Sequence, residues 1–291
     1  MKNNTFFCYA IISGLALSAC TPKTQIKAPD ELSWTSQMIK SSPENTKRFL
    51  EARIAYIAEF VPEDKMYPVL LDTESVKSYM KNYLKTKVLD TYLEEILNEQ
   101  AVVTTNDFTL HYIPDIHSSL EGQISESVAR QKVIVEALKD KTNKLLFVEG
   151  ENGELTWSSL FENVKESSKE MNVPGPEKLD DEFKSEMRRV DTKWWHDFLD
   201  GPYQLFGYDD KRFHIIIVLY DLRVPDLPQE AGPNTAEWFN NFREQIILAR
   251  CRREMRKRDQ KEAFIVLGQL HTDAFPEVAK KWGINVVVKD F

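Results

Sequence analysis

Residues 264–288 read FIVLGQLHTDAFPEVAKKWGINVVV and contain one complete folding unit. The apolar run 264–267 predicts a buried strand, and a turn over 268–271 follows it. Residues 273–282 have the spacing of an amphipathic helix, and 284–288 are rich in valine, which is typical of a strand. Strand, helix and strand in succession form a βαβ unit, which requires a parallel sheet and a right-handed crossover.

A second unit of this kind lies upstream. Residues 109–113 predict a strand that the following Pro-Asp pair stops, and 121–139 predict a helix. Residues 144–148 form a continuous apolar strand that ends on a Glu-Gly pair. The two units together predict an α/β fold, with a mostly parallel sheet and helices on both faces.

A long helix is predicted over 234–258. Arg243 and Arg250 border its apolar stripe, which consists of Phe239, Phe242, Ile246 and Ala249. An arginine beside a buried face needs a partner, because an unpaired buried charge is costly, and carboxylates at strand ends are the natural candidates. The basic run 250–261 is interpreted as a solvated helix end.

The N-terminal residues have the pattern of a bacterial lipoprotein signal. After Lys2, the apolar stretch 6–17 is too short to span a bilayer, and the segment closes on Leu-Ser-Ala-Cys at Cys20. That ending resembles the lipobox, which implies that the Cys20 thiol is acylated. Thr21 is not the aspartate of inner-membrane retention, so we expect a lipid-anchored envelope protein in the outer membrane, facing the periplasm. An ordinary signal peptide that ends near a cysteine is the alternative.

The pattern of apolar and polar residues divides the remainder of the chain into segments. Residues 20–36 are predicted to be a lipidated tether, 37–100 an N-terminal helical region, and 101–291 the α/β domain with a helical insertion at about 156–205. The region 37–100 is expected to hold two amphipathic helices, one starting at Ser42 and one spanning about 72–96. The apolar run 214–219 fits either a strand or a buried helix.

Charge and cysteine content narrow the possible partners. Removing Lys2 from 38 basic residues leaves 37 against 46 acidic ones, a net charge of −9, which argues against nucleic-acid binding. Of the three cysteines, Cys8 leaves with the signal and Cys20 carries lipid. Only Cys251 remains, so we expect no intramolecular disulfide.

Three predicted parallel strands end on residues that can do chemistry. Asp115 and His117 follow the first strand, Glu149 the second, and His271 the strand 264–267. The carboxyl ends of parallel strands share one crevice, so we expect these side chains to line one pocket, with an arginine of the long helix reaching toward it. Each residue also has a structural interpretation: Asp115 as a turn cap, Glu149 as a solvated acid, His271 as a helix cap.

These motifs resemble the TraB/ChaN/EreA-like superfamily over residues 109–291. The resemblance rests on Pro114-Asp115-Ile116-His117, Gln131, Phe147-Val148-Glu149-Gly150, Phe206-Gly207-Tyr208-Asp209-Asp210 and Gly268-Gln269-Leu270-His271. It implies an α/β core and site roles for Asp115, His117, Glu149 and His271, with Arg243 as the first and Arg250 as the second candidate arginine. The chain departs where Pro and Asp replace the family's Gly and Glu, and the nearest pattern, a lipoprotein subgroup with Asp-x-His, implies no particular substrate.

Two function classes follow. The first is a hydrolase acting on a small molecule or peptide, in which either a divalent metal held by the four strand-end residues or a histidine base activates water. The second is a non-catalytic lipoprotein that binds haem, a metal or a peptide, with Tyr112 and Tyr208 as haem-ligand candidates. A scaffold whose N-terminal helices hold a partner is a third. His111, His196 and His214 are interpreted as packing or surface residues.

Overall fold

The computed structural model describes residues 43–44, 46–47, 51, 87–102, 108–115, 124–139, 145–149, 151–170, 174–190, 194–201, 203–208 and 235–289. The elements in chain order are α1 (Val88–Ala101), β1 (Phe108–Asp115), α2 (Ile124–Lys139), β2 (Leu145–Val148), β3 (Asn152–Leu155), α3 (Trp157–Glu170), α4 (Asp181–Val190), a 3-10 turn (Trp194–Phe198), β4 (Gln204–Tyr208), α5 (Thr235–Lys257), β5 (Glu262–Gly268), a second 3-10 turn (Gln269–His271), α6 (Ala274–Lys281) and β6 (Ile284–Val288).

A six-stranded sheet of order β3-β4-β2-β5-β1-β6 forms the centre. All neighbouring strands are parallel except the edge pair β3 and β4, which is antiparallel. The predicted α/β class with a mostly parallel sheet is therefore confirmed. The two βαβ units are interleaved, because β5 lies between β1 and β2.

The central strands β2 and β5 send alternate side chains to two separate hydrophobic cores. In β5, Ile265 and Leu267 point to one face, and Phe264 and Val266 point to the other. The front face, which carries Ile265, packs against α1, α5 and α6. The back face packs against α2, α3, α4 and the first 3-10 turn. Helices cover both faces of these central strands, because β2 and residues 263–267 of β5 are apolar at every position.

β1 extends further than its sequence predicts. Pairing with β6 ends where Lys289 N donates to the Tyr112 carbonyl, and β1 continues past Pro114 to Asp115 beside β5 alone. Pro114 faces the side that β6 has left, so its missing N–H costs no ladder hydrogen bond. Arg130 on α2 instead donates to the Pro114 carbonyl from Nε and Nη2, at 2.8 and 2.7 Å. The prediction that Pro114 stops the strand is wrong.

The helix α5 is buried on all sides along its middle. Every residue from 242 to 252 is buried, including Arg250 and Arg252. The predicted apolar stripe is present at Phe242, Ile246 and Ala249, but α1 and α6 cover the other sides. The interpretation of 250–261 as a solvated helix end is therefore wrong at its start.

The helix α1 belongs to the same core as the sheet. Leu89, Tyr92, Leu93 and Ile96 pack into the front-face cluster with the apolar residues of α5. The predicted second amphipathic helix is confirmed for this part. The signal over 1–19, the tether, nearly all of the first predicted helix and the run 214–219 lie outside the described residues.

The segment 156–205 contains the predicted helices α3 and α4, and it is flanked by two strands that the sequence analysis missed. β4 lies beside β2 and brings Gly207 against the backbone of Glu151. A Cβ at Gly207 would lie 2.3 Å from the Glu151 carbonyl carbon, so only glycine fits there. Among the described helices, none is long and apolar enough to cross a membrane.

Candidate functional site

Glu149, Arg243 and His271 meet at the edge of the sheet where β2 and β5 end. Glu149 directly follows β2, His271 ends the 3-10 turn after β5, and Arg243 comes from α5. Arg243 Nη2 donates to Glu149 Oε1, and Arg243 Nη1 lies 3.3 Å from His271 Nε2. Strand alternation explains the meeting, because Val148 belongs to the back-face core and the next side chain turns to the front, where α5 lies.

A second carboxylate completes this group from the other side of the histidine. Glu244 Oε1 lies 2.8 Å from His271 Nδ1, and the Glu244 side chain is only 1 % exposed. We call Glu149, Arg243, Glu244 and His271 the Arg243 cluster. The sequence analysis missed Glu244, since it lies off the predicted apolar stripe and its burial depends on chain segments that cover α5 from outside.

The backbone at the end of β5 holds the cluster against the sheet. Gly268 N donates to Glu149 Oε2 at 3.2 Å, and the Tyr112 hydroxyl donates to the Gly268 carbonyl at 2.7 Å. Burial raises the pKa of Tyr112 well above its ordinary value, and the negative charges of Glu149, Glu244 and Asp115 raise it further. The charges of these three carboxylates therefore act on the phenol at the front-face end of β1.

Asp115 lies at the same edge, at the last position of β1. It pairs in register with Gly268, whose N–H binds Glu149, and the residue is 2 % exposed. Asp115 is the last residue of the strand, and the residues of the turn that it could cap, from 116 on, lie outside the described part of the chain. The contacts of Arg130 with the preceding Pro114 carbonyl fix this strand end, and Arg130 is another residue that sequence reasoning missed.

Arg250, the second candidate for the arginine of the site, does not reach it. Its Nε donates to Glu95 Oε2 at 2.8 Å, and its Nη1 donates to the Tyr208 carbonyl at 3.1 Å. Arg250 lies seven positions, or about two turns, beyond Arg243 along α5, where α1 supplies the carboxylate. His117, Asp209 and Asp210 lie outside the described residues.

The two tyrosines proposed as haem ligands are not available to a ligand. Tyr112 and Tyr208 are both 0 % exposed. The Tyr208 hydroxyl donates to the Val266 carbonyl at 2.7 Å, as that of Tyr112 does to Gly268. An iron-bound phenolate would have to break these contacts and lose its proton inside the core, so the structure contradicts this assignment.

The interpretation of two other histidines as packing or surface residues is confirmed. His196 is 2 % exposed, with its ring centroid 4.4 Å from that of Trp195 and 5.9 Å from that of Trp157. His111 pairs on the sheet with the exposed Glu262, 3.3 Å from Nε2 to Oε2. His214 lies outside the described residues.

The described part of the chain contains no group of three or more His, Cys, Asp or Glu residues placed to hold a metal ion. Asp115, Glu149 and His271 lie at the same edge of the sheet. The guanidinium of Arg243, however, lies between the Glu149 carboxylate and the His271 imidazole. The expected fourth metal ligand, His117, is not among the described residues, so a divalent metal bound by these four stays a prediction.

The chain matches no protein-family model, no curated protein and no solved structure. The Arg243 cluster places a guanidinium beside an imidazole. A guanidinium can stabilise a developing oxyanion, and imidazole is the side chain that most readily exchanges a proton at neutral pH. These are the two abilities that acyl-group hydrolysis requires.

Proposed function

We propose that the protein is a lipid-anchored hydrolase of the bacterial cell envelope, with the Arg243 cluster as its active site. One observation carries the proposal: Glu149, Arg243 and His271, from three elements far apart in sequence, are in direct contact at the carboxyl edge of parallel strands. That edge is where open α/β sheets bind ligands. The resemblance to the TraB/ChaN/EreA-like superfamily, which we also propose, points to the same edge.

The proposed reaction uses three members of the Arg243 cluster. When the substrate carbonyl oxygen takes over the hydrogen bond from Arg243 Nη1, Nε2 of His271 is released, and it takes a proton from a water molecule as that water attacks the carbonyl carbon of an ester or amide. Arg243 stabilises the negative charge that develops on the carbonyl oxygen, and Glu149 holds Arg243 in place. His271 then returns the proton to the leaving alcohol or amine, so that the proton balance closes.

The substrate class and location follow from the rest of the chain. We propose a small-molecule or peptide substrate, since the strongly acidic body argues against nucleic acid. The lipobox-like ending at Cys20 supports an acylated anchor that holds the chain on the bilayer surface, facing the periplasm. The membrane would then be a partner through lipid alone.

A panel of chromogenic esters and peptides, incubated with the full chain, tests the hydrolase. We expect turnover that falls at least about 100-fold in His271→Gln, because this variant lacks the base. The matched control is His111→Gln, which removes a histidine that also pairs with a glutamate but lies away from the cluster. The control should keep wild-type turnover.

Equal turnover in His271→Gln and wild type would show that the cluster is not the active site. No turnover on any ester or peptide would favour the binding lipoprotein. Metal analysis of the purified chain and a haemin titration belong to the same experiment. A stoichiometric divalent metal that is lost in Glu149→Gln would replace the metal-free reaction with the metal-assisted one, and a Soret band would support haem capture.

A further inference from the structure

The two ring nitrogens of His271 lie beside side chains of opposite charge and opposite hydrogen-bonding ability. Nδ1 is 2.8 Å from Glu244 Oε1, and Nε2 is 3.3 Å from Arg243 Nη1. An ionised carboxylate can only accept a hydrogen bond, and a guanidinium can only donate one. A neutral imidazole satisfies both contacts in one tautomer alone, with the proton on Nδ1 and the lone pair on Nε2.

We propose that Glu244 is the positioning residue that, together with Arg243, fixes this tautomer of His271 and so keeps Nε2 unprotonated. The partner of one ring nitrogen sets the protonation of the other, which is how carboxylates orient catalytic histidines. The catalytic consequence rests on the proposed hydrolase. The tautomer itself is a property of the folded chain and is measurable without a substrate.

The burial of Glu244 supports a role in the site over a role in stability. Its side chain is 1 % exposed, and within the described part of the structure its Oε2 has no hydrogen-bond partner. Burying a carboxylate with one oxygen unsatisfied costs free energy that a leucine of similar size would not cost. Among the described residues, the side-chain hydrogen bond that Glu244 makes is the one with His271.

The geometry also determines which ring nitrogen of His271 lies beside the proposed oxyanion-stabilising group. Arg243 is held by Glu149, so its Nη1 stays beside Nε2 of His271. In this arrangement the base and the group that stabilises the oxyanion are neighbours. A histidine with its proton on Nε2 would face the guanidinium with a second donor, and the contact would be repulsive.

Nitrogen NMR on the ¹⁵N-labelled full chain tests the tautomer directly. Two-bond ¹H–¹⁵N spectra, recorded at a pH where imidazoles are neutral, distinguish protonated from unprotonated ring nitrogens, and the His271 signals are those absent from His271→Gln. We expect wild-type His271 to carry its proton on Nδ1 alone. In Glu244→Leu we expect the Nδ1 proton to exchange rapidly with solvent, while Arg243 still disfavours a proton on Nε2. In the double variant Glu244→Leu, Arg243→Met we expect a mixture of the two tautomers.

The matched control is Glu262→Leu, which removes the same kind of side chain from the other histidine–glutamate pair, that of His111. This variant should leave the His271 signals unchanged. A wild-type ring with its proton on Nε2 overturns the proposal, and this result needs no variant to fold. A Glu244→Leu chain that keeps a slowly exchanging Nδ1 proton, or a double variant that keeps the single Nδ1 tautomer, also overturns it.

Kinetics separate this inference from the hydrolase proposal. With a substrate that wild type turns over, Glu244→Leu should lower kcat on the order of 100-fold with little change in KM, since the base is misplaced while binding is retained. Glu244→Asp should restore part of that loss. An unchanged kcat refutes the positioning role. If wild type has no turnover but the Nδ1 tautomer is present and depends on Glu244, the hydrolase is wrong and the positioning of the ring stands.

Discussion

The ion pair between Arg243 and Glu149 joins side chains that are 5 % and 9 % exposed. Arg243→Met should lower the free energy of unfolding by about 3 kcal/mol, because it leaves a buried carboxylate without its cation. Urea unfolding measures this. The double variant Arg243→Met, Glu149→Leu should be more stable than the sum of the single losses implies. Strict additivity, or a loss below about 1 kcal/mol, would mean that the pair is not buried as described.

The raised pKa of Tyr112 predicts a loss of stability in alkali. Burial is the main cause, and unfolded tyrosine ionises near its ordinary pKa of 10.0. The contribution is complete below that pH and falls as pH rises above it, by up to about 1.4 kcal/mol per pH unit, because only the unfolded chain releases the proton. Tyr112→Phe should flatten the decline above pH 10.0, measured by urea unfolding at several pH values.

Cys251 provides the control for this measurement. Burial raises the pKa of its thiol well above the ordinary value of 9.0, so it adds a second decline that begins about one unit lower. Cys251→Ala should remove that part alone. If wild type and Tyr112→Phe decline in parallel above pH 10.0, the phenol is exposed to solvent and the description of its surroundings is wrong.

For single residues, the sequence predicted which side chains lie near the site but not which of them contact each other. Glu149 and His271 follow predicted strands, and Arg243 borders a predicted stripe, so their convergence could be anticipated; their catalytic roles stay predictions. Glu244 could not be found, since a helical projection gives only the angle from one face. Its burial depends on the second 3-10 turn, which brings His271 over α5.

Between elements, the contact of α1 with α5 depends on charge as well as on apolar packing. Glu99 is 4 % exposed and lies 2.7 Å from Arg256 Nη2 and 3.7 Å from Arg252 Nε. Burial lowers the pKa of Arg252, and the charge of Glu99 opposes this. The acid therefore allows a buried guanidinium to stay charged between the two helices.

Glu99→Gln should accordingly lower the free energy of unfolding by about 2 to 3 kcal/mol, since Arg252 loses its compensating charge. The control is Glu94→Gln on the exposed side of α1, which should change stability by less than about 0.5 kcal/mol. Thermal and urea unfolding measure both variants. Similar small effects at the two positions would show that α1 is held by apolar contacts alone.

Elements with strong periodicity were predictable, and those without it were not. The boundaries of β6 match 284–288, and α5 differs from 234–258 by one residue at each end. β3 and β4 contain glycine and polar residues in short runs, so their strand character comes from pairing with each other and with β2. Such pairing is non-local and leaves no period in the sequence.

For the whole molecule, the proposed anchor predicts how the chain distributes in the cell. Cys20→Ser should abolish incorporation of labelled palmitate and move the protein from the membrane to the soluble or precursor fraction, because no thiol remains to be acylated. Cys251→Ser is the matched control, since that thiol is buried in the folded domain. Labelling that persists in the Cys20 variant would contradict the anchor.

The order of strands has a consequence for how the chain is made and delivered. β5, at residues Glu262–Gly268, lies at the centre of the described sheet between β1 and β2 but follows both in sequence, so the two described halves of the sheet join through a strand that is synthesised after them. A polypeptide emerging from the ribosome cannot complete either described core before β5 has been synthesised, and contacts of such long sequence separation form slowly. For the exported protein that we propose, this delay keeps the chain threadable through a secretion channel, and the fold assembles only on the far side.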